Sequence, residues 1–308
     1  MGYHLGWYDE TLSHVQNKTG KRIRPLLCVL TCRSAGGMAE DAVPVAATIE
    51  LIHNFSLVHD DIQDRSPMRR HRKTVWKVWG EPHAINVGDG LFALAFLNLP
   101  RLKVGISGER MRTIYQNCAQ ACVLLCEGQY MDMSFERRLD VTEEEYMAMI
   151  GRKTAALLGC ASQVGALVAG EGLELADVYR VFGEYLGLAF QVQDDILGAW
   201  GDPLATGKMT ADDILQCKKT LPVVYALQRE SELGENRLRD LYGQGSISED
   251  DVPLVLEELD RFGALAYARR VNNAYCDKAL NQLQRIGCEP EKSLVLKELV
   301  ERLRERST

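Results

Sequence analysis

ELIHNFSLVHDDIQDRSPMRRHRK, residues 50–73, changes polarity with the period of a helix and then turns abruptly basic. Wound at about 3.6 residues per turn, Glu50 to Asp64 places His53, Ser56, Asp60, Asp61, Gln63 and Asp64 on one polar arc. Leu51, Ile52, Phe55, Val58 and Ile62 fill the other. Asp60 and Asp64 stand one turn apart, so both can reach one cation, and Asp61 flanks them. Arg69, Arg70, Arg72 and Lys73 follow at once, side chains suited to phosphate. Three carboxylates beside four cations point to a site for a metal-bound polyanion. Taken in isolation, an acidic amphipathic helix is more often a solvated surface helix, so the remainder of the chain must decide.

The chain has 308 residues, 46% of them hydrophobic, with 9 Pro and 26 Gly. No linker, low-complexity tract or repeat interrupts it, and one domain over 1–308 is expected. A net charge of -7 argues against non-specific nucleic-acid binding. The nine cysteines lie mostly in apolar helical runs (Cys28, Cys32, Cys118, Cys122, Cys126, Cys160) without zinc spacings, as core thiols of a reducing compartment do. No signal peptide stands at Met1 and no apolar run reaches the about 20 residues of a membrane span, so a cytoplasmic protein is expected.

Outward from the opening stretch, the signals are helical. Gly20, Lys21, Arg22 and Arg24 precede Pro25 and an apolar helix ending at Gly36-Gly37; their charges and the free amides of the helix start can bind phosphate. Pro82 opens an apolar stretch to Leu99, Met111 to Phe135 continues helically, and Thr142-x-x-Glu145 is a capping box opening a helix to about Gly170. Lys153 is the last charge before the lean apolar run TAALLGCASQVGALVAG. Alternating patterns and Asn-Gly hairpin signals are absent. The expected fold class is all-α.

GEYLGLAFQVQDDILGAW, residues 183–200, is apolar nearly all round, as a buried helix is, yet contains Asp194 and Asp195. Burying two carboxylates costs on the order of several kcal/mol each without compensation, so they must be paired, metal-bound or protonated. Gly183, Gly187 and Gly198 project near the Asp194 face with Gln191 beside it, a stripe that leaves space. Beyond Trp200 come Asp202 and Lys208 in a loop, Asp212-Asp213 as a surface pair, and Lys218-Lys219 opening another helix. Two carboxylate clusters with several cations suit hard divalent ions such as Mg²⁺ bridging a diphosphate, and small apolar walls suit a hydrocarbon tail. Together they point to a prenyl diphosphate.

GKRIRP, HNFSLVHDDIQDRSPMRRHRKTVW, GEPHAINVGD, the EGQ-x-x-D of Glu127 to Asp132, GRKTAALL, GLAFQVQDDILG, GDPLATGK and KKTLP follow one another between residues 20 and 222. By these segments the chain resembles the trans-polyprenyl diphosphate synthases. The resemblance implies a helical bundle of the isoprenoid synthase type around one central cavity, usually homodimeric, that joins isopentenyl diphosphate to an allylic diphosphate (dimethylallyl, geranyl or farnesyl). It implies that Asp60, Asp64 and Asp194 bind three Mg²⁺ per site, with Asp61 and Asp195 as acidic support. Lys21, Arg24, His53 and Arg70 would hold isopentenyl diphosphate; Arg69, Lys153, Thr154, Gln191, Lys208 and Lys218 would clamp the allylic diphosphate. Phe55, five residues before Asp60, with small Ser56 beside it and no insertion in DDIQD, resembles the floor of a geranylgeranyl producer, farnesyl diphosphate being the competing product. Three departures stand out: Gly198 where many members have a third aspartate, His71 where a glycine is usual, and a short stretch before Lys21. A class I terpene cyclase would not need Lys21, Arg24 and Arg70, and a regulatory subunit would not need both aspartate pairs.

Overall fold

Helix-forming segments separated by Gly, Pro and capping residues dictate an almost wholly helical chain, and the computed structural model is one. It describes all residues except 16–19, 21, 103–105, 202–210, 288–289 and 306–308. The backbone groups into two compact units: Met1–Val123 with Cys160–Arg180 and Ile286–Leu296, and Leu124–Gly159 with Val181–Arg285 and Lys297–Thr308. The all-α expectation holds, and among the described residues no helix is long and apolar enough to cross a membrane.

In the first unit, α1 (Ile23–Ser34), α2 (Ala39–Gln63), α3 (Val75–Trp79) and α4 (Glu81–Asn98) precede the start of α5 (Gly108–Phe135). The apolar face read from the opening stretch is the buried one: Ile49, Ile52, Phe55 and Val58 of α2 are in the core. Thr48 ties α2 to α4 by donating to the Ala95 carbonyl at 3.0 Å. Helix α7 (Ala156–Ala169) approaches α1 so closely that a Cβ on Gly165 would overlap the Cys28 carbonyl. Cys28, Cys32, Cys118, Cys122 and Cys160 are free buried thiols, as expected, and burial pushes the Cys28 thiol well up. Cys126, also expected in the core, is exposed on α5.

One strand signal was not legible. The basic run folds as a hairpin of β1 (Met68–Arg69) and β2 (Arg72–Lys73), with Arg69 opposite Arg72. Its turn holds Arg70 at φ +52 and His71 at φ +63. Two left-handed residues are what a two-residue hairpin turn of matching twist demands, and Gly or Asn normally signals it. That accounts for the usual glycine at the position of His71.

The second unit contains the rest of α5, then α6 (Glu143–Ile150), one π turn (Gly151–Ala155), most of α8 (Leu173–Trp200), α9 (Asp212–Leu215), α10 (Leu221–Leu233), α11 (Arg237–Gly243), α12 (Val252–Arg261) and α13 (Ala264–Ile286); α14 (Pro290–Glu305) contributes its C-terminal turns. The capping box forms as read: Glu145 N–H donates to the Thr142 hydroxyl at 3.2 Å, and Thr142 N–H to the Glu145 carboxylate at 2.9 Å. The helix runs on to Ala169, as expected, with one π turn at Gly151–Ala155 within it. Two apolar clusters close the unit, one around Ile150, Val192, Ile196 and Leu221, the other around Val223, Leu238, Val255 and Leu259.

Candidate active site

The last turns of α2 deliver the first carboxylates. Asp61 is 2% exposed; its Oδ1 accepts from Arg69 Nε at 2.7 Å, while Oδ2 is buried with no hydrogen-bond partner. Burial pushes its carboxyl up to about 6 against the pull of Arg69. Asp60 is partly buried and Asp64 exposed. The hairpin is what returns Arg69 to α2, so the basic run folds back onto the acidic turn it follows.

Three of the four residues implied for isopentenyl diphosphate gather in this unit. Arg24 Nη1 and His53 Nε2 are 3.3 Å apart. Burial first, then Arg24, Arg70 and Arg69, push the His53 pKa well below its usual value, so the imidazole is neutral. Arg70 extends over Gly20, where a Cβ would overlap its guanidinium. The fourth, Lys21, lies outside the described residues. The other two cations of the run are engaged elsewhere: Arg72 donates to the carbonyls of Tyr3 and Tyr8 at 3.0 and 2.7 Å, and Lys73 pairs with Glu10 at 3.6 Å.

Phe55 is buried below Asp60 on α2 and heads a run of rings that sequence reasoning missed. It meets Phe92 edge-on at 5.2 Å, Phe92 meets Phe96 at 5.1 Å, and Phe96 stacks on Tyr115 at 6.3 Å. Those rings come from α4 and α5, and nothing local links them to the aspartates. Ser56 donates to the His53 carbonyl at 2.9 Å.

The second unit gathers the other set. Gly128 of α5 touches the Lys153 backbone so closely that any side chain there would overlap it. One turn further along α5, Asp132 forms an ion pair with Lys153. The EGQ-x-x-D and GRKTAALL segments thus meet at the π turn, a helix irregularity frequent at functional sites. Thr154 donates to Gln191 Oε1 at 2.8 Å, and Gln191 Nε2 to Asp195 Oδ1 at 3.0 Å. Asp195 Oδ2 accepts from the Leu221 amide at 2.9 Å and from the Tyr146 hydroxyl.

The expectation that both buried carboxylates need compensation resolves differently for each. Asp195, 3% exposed, is satisfied wholly by its own chain; burial raises its carboxyl to about 7, opposed by those three donors. Asp194, about 100° further round the helix, is partly exposed. The glycine stripe does not leave the space expected of it. Gly187 lies against Ala155, and a Cβ on Gly198 would overlap the Asp213 carboxylate. Asp213, expected on the surface, is buried, with Lys218 Nζ 3.7 Å away. A carboxylate therefore does stand beside Gly198, supplied from α9. Asp202 and Lys208 lie outside the described residues.

Among the described residues no three His, Cys, Asp or Glu side chains are arranged to hold an ion by themselves. Magnesium usually takes one or two carboxylates and completes its shell with substrate phosphates and water. Asp60 and Asp64 one turn apart, beside the orphaned Asp61 oxygen, fit that sparse mode, with Asp194 as the carboxylate of the second set.

A profile described as polyprenyl synthetase matches residues 6–259. The chain belongs to the polyprenyl synthetase family, and so is a prenyltransferase. It is 37% identical over 302 residues to the (2E,6E)-farnesyl diphosphate synthase of Mycobacterium tuberculosis, covering 97% of this chain and 83% of that one. The polyprenyl synthetase of Streptomyces coelicolor superposes with a TM-score of 0.88 at 37% identity, over 98% of this chain and 90% of that one. The geranylgeranyl pyrophosphate synthetase of Pyrococcus horikoshii does so with a TM-score of 0.87 at 34% identity, over 94% and 86%.

Proposed function

We propose that this chain condenses isopentenyl diphosphate with an allylic diphosphate to make geranylgeranyl diphosphate, using both aspartate sets in one reaction and acting as a homodimer of single-domain chains. The observation that carries the reading is the gathering of Arg24, His53, Arg69 and Arg70 beside Asp60, Asp61 and Asp64, cations for phosphate next to carboxylates for metal.

Arg70, Arg24, Lys21 and neutral His53 bind isopentenyl diphosphate. Arg69, Lys153, Thr154, Gln191, Lys208 and Lys218 hold the allylic diphosphate, whose carbon–oxygen bond breaks with the electron pair leaving on pyrophosphate. The isopentenyl double bond then attacks the allylic cation, and the adduct loses a proton to the departing pyrophosphate. Asp60, Asp64 and Asp194 would hold the magnesium, three ions per site, which would supply positive charge to stabilise the departing pyrophosphate. Fixed cations and apolar walls lower the barrier because they need no reorganisation and exclude water. Phe55, braced by Phe92, supports a product that stops at geranylgeranyl; farnesyl diphosphate is the competing product. Asp60→Ala and Asp194→Ala should each cut turnover on the order of a hundredfold or more while the chain stays folded. Unchanged turnover in either would overturn the metal assignment.

A further inference from the structure

The turn between β1 and β2 is a demanding one. Arg70 and His71 hold φ +52 and +63, a region that glycine enters freely and that any side chain disfavours. Arg69, just before the turn, has an anchor of its own in Asp61, at 2.7 Å. Arg70 has none: among the described residues no hydrogen bond or ion pair holds its guanidinium, so the backbone of the turn is what directs it over Gly20. Whatever keeps the turn left-handed therefore keeps Arg70 in place.

The returning strand is gripped by the start of the chain. Arg72, which faces Arg69 across the ladder, donates to the Tyr3 carbonyl at 3.0 Å and to the Tyr8 carbonyl at 2.7 Å, and its guanidinium lies 4.2 Å over the Tyr3 ring. One planar fork thus meets two acceptors and an aromatic face at once. The Tyr3 hydroxyl donates to the Lys73 carbonyl at 2.7 Å, and the buried Tyr3 ring meets Trp79 edge-on at 4.8 Å. The first residues of a chain commonly fray, but these are closed on themselves. Gly6 N–H donates to the Tyr3 carbonyl at 3.0 Å and Trp7 N–H to the Gly2 carbonyl at 2.9 Å. Asp9 Oδ1 accepts from the amides of Thr11 and Ser13 at 2.9 and 3.0 Å. The two carbonyls that receive Arg72 are therefore fixed acceptors, and β2 is tied to them on one side while Arg69 ties β1 to α2 on the other.

We propose that Arg72 is a positioning residue for isopentenyl diphosphate: by joining β2 to the segment from Tyr3 to Tyr8 it holds the turn in its left-handed form and so presents Arg70 to the diphosphate. The proposal rests on the functional reading above for the ligand of Arg70. The test compares wild type, Arg72→Met, His71→Gly and the double variant, by calorimetric binding of isopentenyl diphosphate and by initial rates with each substrate varied in turn. Arg72→Met should raise Kd and KM for isopentenyl diphosphate about tenfold, because a turn that is competent in about a tenth of the molecules weakens its ligand by that factor. Its kcat and its KM for the allylic substrate should change less than about twofold, since Asp61 still holds Arg69. His71→Gly alone should stay within about twofold of wild type, and in the double variant it should bring Kd and KM back to within about threefold, because glycine takes a positive φ without a side-chain penalty. That rescue separates the turn from the mere loss of a nearby charge, which glycine cannot restore. Unchanged Kd in Arg72→Met, or a loss undiminished in the double variant, would overturn the proposal. A wild type that binds isopentenyl diphosphate, with Kd following this order across the variants, but makes no prenyl product would refute the functional reading and leave the role of Arg72 standing. A wild type that does not bind isopentenyl diphosphate would overturn both.

Discussion

Replacing Asp195 with alanine takes the acceptor from three donors at once: the Tyr146 hydroxyl, the Leu221 amide and Gln191 Nε2. Gln191 is partly exposed and can turn to water, but Tyr146 and Leu221 are buried. Each stranded buried donor costs about 1–3 kcal/mol. Relief from burying a carboxylate offsets part of this, leaving a net loss of about 3 kcal/mol. For a chain of this length that lowers Tm by roughly 5–10 °C. Asp194→Ala, one residue away but partly exposed, should lower Tm less than Asp195→Ala does while cutting turnover about a hundredfold or more. Scanning both variants by circular dichroism and assaying them at a temperature where both are folded separates the two roles. A Tm for Asp195→Ala at or above wild type would show the buried carboxylate to be a liability relieved by its removal, and the reasoning would fail.

Phe55→Ala should shift product to longer chains, and Phe55→Ala with Phe92→Ala further still, read by chromatography of the dephosphorylated alcohols; an unchanged product would place the floor elsewhere. Gly198→Ala should destabilise by about 1–3 kcal/mol, because its methyl displaces the Asp213 carboxylate, and a denaturant midpoint at or above wild type would contradict that packing. Because the folded pKa of His4 is depressed to about 3, the unfolded chain binds the extra proton below about 6.5, so this contribution to stability is present above that pH and is lost on acidification. Wild type should therefore lose more Tm than His4→Phe between pH 7.5 and pH 5; equal losses would mean that the imidazole is already charged in the fold.

The helices were legible because their signals are local: the polar arc of Glu50 to Asp64, the capping box at Thr142 and the apolar surround of Asp194-Asp195 each determine their own segment. What escaped was set by tertiary neighbours. The hairpin that returns Arg69 to Asp61 is closed by Arg70 and His71, residues that do not announce a left-handed turn. The aromatic run behind Phe55 joins α2, α4 and α5 across long sequence separations. Asp213 looked solvated beside Asp212, and only the missing side chain at Gly198 makes room for it. Asp194 and Asp195 were indistinguishable as adjacent buried acids, because the donors that hold Asp195, Tyr146 and Leu221, arrive from other helices.

Incubation with isopentenyl diphosphate and dimethylallyl, geranyl or farnesyl diphosphate in turn, with and without Mg²⁺, followed by dephosphorylation and chromatography, addresses the central claim. Geranylgeraniol is the expected dominant alcohol, formed only with metal and lost in Asp60→Ala and in Asp194→Ala. Failure to extend any primer, or a cyclised hydrocarbon formed from the allylic diphosphate without isopentenyl diphosphate, would contradict it.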